Sequence, residues 1–231
     1  MRTRSTAAAA ALTCLLTGSA LSGCAEGDDP QKEVSAQQLL DDANAAMRKL
    51  KSVTSSAVTT RTDGNGFSSR LTTDLDSTCT FKMTWENTGA ALEQIRIGDT
   101  DYVRPNRAYI ENWSGKRMAG SQDRWIKTPT SEARRGDGLA DCAWKFTSFG
   151  TAKKGGVAKV DGIEAVELVV TDKKDKSGTY TFSVATEGEP YILKVVYKGT
   201  DYRTTTTYSG FDKPLGVRAP TKALDASKLS D

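Results

Sequence analysis

Two blocks of short runs that alternate with a period of two constrain this chain more than any other feature. The first block covers residues 53–60, 67–76, 79–86, 92–97 and 100–104; the second covers 157–160, 165–171, 179–185, 192–197 and 203–208. The runs are rich in Thr, Val and aromatic residues, which suit a pleated, half-buried surface. Turn signals separate them: Asp63-Gly64-Asn65-Gly66, Asn87-Thr88-Gly89 and Gly98-Asp99 early, then Asp161-Gly162, Lys176-Ser177-Gly178, Glu187-Gly188 and Lys198-Gly199. Consecutive hairpins of this kind build one antiparallel sheet. Ten or so strands leave an apolar face exposed unless the sheet curls around something. The expected class is therefore α+β, mainly antiparallel β, with a single curved sheet wrapped as a barrel or half barrel around few helices.

Residues 35–50 supply a helix for that purpose. Ser35 is the N-cap candidate, Gln38 three residues on completes a capping box, and apolar residues at 36, 39, 40, 43, 46, 47 and 50 fall on one face. A second helix is expected over 138–149, where apolar residues recur at 139, 143, 146 and 149 and Cys142 lies between them. Residues 106–138 carry Trp113, Trp125, Pro129 and many charges without a steady period, and read as an irregular connection with a short strand near 124–127.

The N-terminus is processing information. Arg2 and Arg4 precede the apolar run Ala7 to Leu16, the layout of a secretory signal. That run is shorter than the roughly 20 residues a membrane span needs. Leu21-Ser22-Gly23-Cys24 then resembles the bacterial lipobox, which implies cleavage after Gly23 and acylation of the Cys24 thiol. The alternative is an ordinary signal with Cys24 incidental. Each buried methylene of an acyl chain contributes ~0.8 kcal/mol, and two or three chains on one residue anchor durably. Residues 25–35 are polar, include Pro30 and read as a tether. The expected plan is a signal over 1–23, a lipidated tether over 24–35, one folded domain over 36–225 and a tail over 226–231. Such a chain sits on the extracytoplasmic face of the cell membrane.

Of four cysteines, Cys14 leaves with the signal and Cys24 takes the lipid, so Cys79 and Cys142 remain. In an exported protein such a pair reads as a disulfide worth ~4 kcal/mol by loop-closure entropy; the alternative is two buried thiols. Histidine is absent, which excludes Ser-His-Asp and Cys-His catalysis and His-ligated metal centres. No cofactor, metal or enzymatic activity is expected. A net charge of +3, reduced when Arg2 and Arg4 are removed, gives no footprint for nucleic acid. Asp74 and Asp76 share one face of an expected strand, but soluble sheets commonly carry such pairs without acid/base chemistry. Lys173-Lys174-Asp175-Lys176 reads as a solvated hairpin tip.

Five segments together look like a known family: Leu50-Lys51-Ser52-Val53, the hairpin Ile97-Gly98-Asp99-Thr100-Asp101-Tyr102-Val103, Asp161-Gly162-Ile163-Glu164-Ala165-Val166-Glu167-Leu168, Pro190-Tyr191-Ile192-Leu193-Lys194-Val195 and Tyr208-Ser209-Gly210-Phe211. With the lipobox and tether, they resemble the LolA-like, LppX-type lipoproteins of actinobacterial envelopes. The resemblance implies a half-open β-barrel with helices packed in its mouth and an apolar cavity for lipid acyl chains. Cys79 and Cys142 depart from the well-described carriers, as does a concave face expected to be rich in Thr and charge, with Arg70, Thr72, Asp74 and Asp76 alternating with Ser69, Leu71, Thr73 and Leu75. Candidate ligand residues are Phe81, Trp85, Tyr102, Trp144 and Phe146, with Leu39 and Leu40 on a helix that could act as a lid. Tyr191 and Tyr197 belong to the same set of aromatics. Core filling is the competing role for all of them. The expected function is binding of a lipid or other hydrophobe, with lipid transport as its extension. The alternative is a ligand-free envelope interaction or sensory module whose protein partner the sequence does not name.

Overall fold

The computed structural model describes residues 34–116, 122, 124–133 and 137–228. The signal, Cys24 and all but the end of the tether lie outside the described residues.

Among the described residues, twelve strands form one sheet. From β1 (Val53–Arg61) the chain adds β2 (Gly66–Thr73), β3 (Thr78–Trp85), β4 (Ala91–Ile97), β5 (Thr100–Pro105) and β6 (Ile126–Pro129) on one side. On the other side of β1 lies β11 (Tyr202–Ser209). Beyond it stand β10 (Ile192–Lys198), β9 (Thr179–Ala185), β8 (Ile163–Thr171) and, at the edge, β7 (Thr151–Val160). The opposite edge is β12 (Leu224–Asp225), whose parallel pairing with β6 is the exception in an otherwise antiparallel sheet. The two edges do not pair, so the barrel is half open, as the LolA-like class requires.

Helix α1 (Ala36–Arg48) forms where the apolar spacing places it. The Ser35 hydroxyl accepts the Gln38 N–H at 3.1 Å, but the Gln38 side chain turns outward to Asp42, so only half of the capping box is made. Leu40, Ala43 and Met47 are fully buried against Val53, Leu168, Val170, Phe182, Val184 and Ile192. The helix thus covers one end of the β7–β10 half. Burying a Leu or Met side chain contributes about 1.5–3 kcal/mol, enough to dock a helix of this length.

Two expectations are corrected. Residues 138–149 are not a helix but an extended strap. Topology supplies the reason: the chain leaves the sheet near β6 and re-enters at the far edge. Between β4, where Ala140 is bonded, and β7 lie eight strand spacings, or ~38 Å along the sheet. From Ala140 to Thr151 the chain has eleven residue steps, ~17 Å as a helix and ~37 Å extended, and the extended form is the one that matches the path along the sheet. A β-carbon at Gly150 would overlap the Thr171 carbonyl, so a residue without one stands where the strap enters β7.

Conversely, the supposedly irregular 106–138 region contains α2 (Arg107–Ser114). The Asn106 side chain caps it by accepting the Tyr109 N–H at 2.8 Å, and Gly115 ends it in the left-handed conformation. Asp74 and Asp76 also leave the strand they were assigned to, because β2 stops at Thr73. The Asp74 carboxylate accepts the N–H groups of Asp76 and Thr78 at 3.0 and 2.9 Å and closes the β2–β3 turn. Leu71 faces inward and Arg70 outward, which leaves the concave row of β2 less charged than its sequence implied.

Candidate hydrophobic ligand site

The strap divides the concave face, and its first half is fastened to the sheet. Cys79 on β3 and Cys142 on the strap form a disulfide across a separation of 63 residues, and both are 0% exposed. Beside it the Thr73 hydroxyl donates to the Cys142 carbonyl at 2.6 Å. The Gln94 side chain imitates a strand: its amide nitrogen donates to the Ala140 carbonyl at 3.2 Å and its oxygen accepts the Ala140 N–H at 2.8 Å. Behind it, Asp101 is wholly buried and accepts two bonds from the Arg96 guanidinium at 2.8 Å and one from Gln94 at 2.9 Å. The Asp101 bond holds the Arg96 guanidinium above its ordinary basicity.

Past Cys142 the strap leaves the sheet face and roofs a cleft of about 440 Å³ over β9, β10 and β11. This volume lies within the ~300–1,000 Å³ usual for small-molecule sites. Trp144, Phe146 and Phe149 form the roof, while Phe182, Ile192 and Val195 form part of the floor. Tyrosines continue the floor because β9 and β11 place every second side chain inward: Tyr180 before Phe182, then Tyr202, Thr204, Thr206 and Tyr208.

The rings form two series. Phe146 meets Tyr208 edge-on at 5.8 Å and Phe149 meets Tyr180 at 4.9 Å. Tyr180 touches Tyr197 at 4.8 Å, and Tyr197 touches Tyr202 at 5.0 Å. β-Carbons at Gly178 and Gly199 would overlap the Tyr197 ring, so these two glycines make room for it. Trp144 and Tyr202 are 45% and 40% exposed, whereas Phe146 and Phe182 are buried, so the cleft runs from an open rim to a closed end.

Its polar groups differ along that path. At the rim the Tyr180 hydroxyl donates to Asp175 at 3.2 Å, and Asp175 also accepts the Ser177 hydroxyl at 2.7 Å. Burial and the Asp175 carboxylate push Tyr180 up to about 12, while the Ser177 hydroxyl bond lowers Asp175. Deeper in, burial alone pushes Tyr208 up to about 12. Both phenols are therefore neutral donors at ordinary pH.

Trp144, Phe146 and Tyr197 are the sequence candidates that line this cleft. Leu40 is sealed beneath α1 and Leu39 packs at the margin of the same core, so both support the closed end rather than line it. Phe81 packs against the disulfide and borders a smaller hollow of about 250 Å³ with Arg70, Lys82 and Glu93. Trp85 lies under Tyr109 of α2 at 5.5 Å in another hollow of about 270 Å³. Tyr102 is half-buried on β5 opposite Lys127, outside the cleft. Tyr191 stacks on Phe211 at 4.4 Å, away from the lining. Sequence reading missed Phe149, Tyr180, Phe182, Tyr202 and Tyr208. The signal was present: aromatics two apart in 180–182 and at both ends of 202–208 share a face in β9 and β11, the two neighbours of β10.

No family model matches the chain, and comparison with characterised proteins finds no sequence match. Solved structures do match. LprF from Mycobacterium bovis aligns with a TM-score of 0.52 at 16% identity, covering 82% of this chain and 97% of LprF. LppX from Mycobacterium tuberculosis aligns at 0.45 and 16% identity, covering 79% of this chain and 98% of LppX. A LolA superfamily protein from Nitrosomonas europaea aligns at 0.28 and 13%, covering 81% and 96%. The likeness to LprF concerns the fold alone.

Proposed function

We propose that this chain is a lipoprotein, anchored through Cys24 on the extracytoplasmic face of a membrane, that binds a lipid or other hydrophobe in the strap-roofed cleft and serves in its transport. The observation that carries the proposal is the cleft itself, with its aromatic floor, its strap roof and its open rim. Binding would be driven by desolvation of apolar surface, ~25 cal/mol per Å². The role is binding rather than catalysis, in keeping with a chain that has no histidine. No helix of the described residues is long and apolar enough to cross a membrane, and attachment is assigned to the lipid on Cys24 and the tether over 24–35.

A second reading, an envelope interaction module, draws on a different surface. Trp113 is 68% exposed and stacks on Tyr109 at 6.1 Å, forming an aromatic ledge on α2. Native mass spectrometry of the purified protein, with lipid extraction of the same sample, tests the first reading. A bound lipid at near-stoichiometric occupancy supports it. A bare chain that takes up neither added fatty acid nor phospholipid supports the second. For the anchor, Cys24→Ala should release the protein from membranes, and unchanged retention would refute it.

A further inference from the structure

The distribution of uncommitted hydrogen-bonding groups along the cleft narrows what it can accept; this step rests on the hydrophobe-binding reading above. At the rim the phenols are already engaged: Tyr180 with Asp175, Tyr197 with Ser177 at 3.4 Å, and Tyr202 with Tyr197. Toward the closed end the situation reverses. The Tyr208 hydroxyl has no hydrogen-bond partner among the described residues, and its oxygen is not among the atoms sealed from solvent. Asn44 of α1, 3% exposed, also lines the cleft; its amide nitrogen donates to the Leu40 carbonyl at 2.9 Å, which leaves the amide oxygen available.

A saturated chain laid over these two groups would strip them of water without replacing its bonds, at a cost of about 1–3 kcal/mol each. A ligand hydroxyl placed there removes that cost, because it can accept from Tyr208 and donate to Asn44. A charged headgroup is excluded from the same place, because burying an unpaired ion costs far more and the lining's charged side chain, Lys145, is exposed. Eight of the lining side chains are aromatic rings, which reward flat ligands beyond their buried area.

We propose that the cleft selects a neutral hydrophobe bearing a hydroxyl, which enters oxygen first, accepts from the Tyr208 hydroxyl and donates to the Asn44 amide oxygen. The class includes phenols and long-chain alcohols. It differs from a plain acyl chain, which offers methylenes to both groups, and from an ionised amphiphile, whose head would remain at the rim.

The test compares para-octylphenol with octylbenzene, two probes that differ by one hydroxyl, by calorimetric titration of the purified protein and its Tyr208→Phe variant. The variant retains the ring that packs on Phe146, so it is expected to fold; circular dichroism confirms this before titration. Wild type should prefer the phenol about tenfold, the factor one net hydrogen bond supplies. The preference should fall several-fold in Tyr208→Phe, where only the Asn44 oxygen remains, and persist in Tyr180→Phe, whose hydroxyl is committed to Asp175. Equal binding of both probes by wild type would overturn this inference and leave the hydrophobe site standing. A preference undiminished in Tyr208→Phe would overturn the assignment to Tyr208. Binding of neither probe would overturn this inference and the cleft's function together.

Discussion

Over β3–β5 the strap is held by a disulfide, a buried carboxylate and paired amide bonds; over β9–β11 it is held by ring contacts and one bond from Arg48 to the Phe146 carbonyl at 3.1 Å. The same segment on the same sheet is thus a clamp at one end and a roof at the other. Directional bonds fix geometry and are costly to break when buried, whereas ring contacts can be exchanged for a ligand's surface. The division lets one half of the molecule hold the strap while the other half yields.

The comparison can be broken first at the clamp. Replacing Cys79 and Cys142 together with alanine should lower stability by ~4 kcal/mol in urea unfolding; a change near zero would show that the polar bonds hold the strap without the bridge. Asp101→Ala should cost about 2–3 kcal/mol, below the usual figure for a buried ion pair because the Arg96 side chain reaches solvent. On the roofed side, Phe182→Leu should cost only ~1 kcal/mol, since the ring already borders space, yet it should weaken hydrophobe binding several-fold by titration. Equal costs for Asp101→Ala and Phe182→Leu would erase the distinction between the halves.

The effect that is smallest at neutral pH emerges in alkali. Tyr208 has a folded-state pKa of about 12 against an ordinary 10. The folded state therefore keeps its proton where the unfolded chain loses it. The resulting contribution is complete below pH ~10 and is lost as pH rises toward 12. Tyr208→Phe should flatten this part of the stability profile without moving neutral stability by more than ~0.5 kcal/mol.

The sheet was legible in the sequence because its signals are local: alternation, turns and the α1 stripe each lie within a few residues. The strap was not, since the 139, 143, 146, 149 spacing imitates a helix and the demand for an extended crossing arises only when β6 and β7 occupy distant positions in the sheet. Helix α2 did carry a local signal in Asn106 and Gly115, obscured by the charges around it. The site was half legible. Trp144, Phe146 and Tyr197 were identified by residue type, whereas Tyr180, Phe182, Tyr202 and Tyr208 acquire meaning from cross-strand register, which brings positions far apart in sequence onto one floor.

Hydrogen exchange followed by mass spectrometry, with and without para-octylphenol, tests the central claim most directly. Binding in the roofed cleft predicts slower exchange in residues 144–149 and in β9–β11, with β3–β5 unchanged. Protection confined to β3–β6 or α2, or no protection despite measurable binding, would contradict the assignment of the ligand site to this cleft.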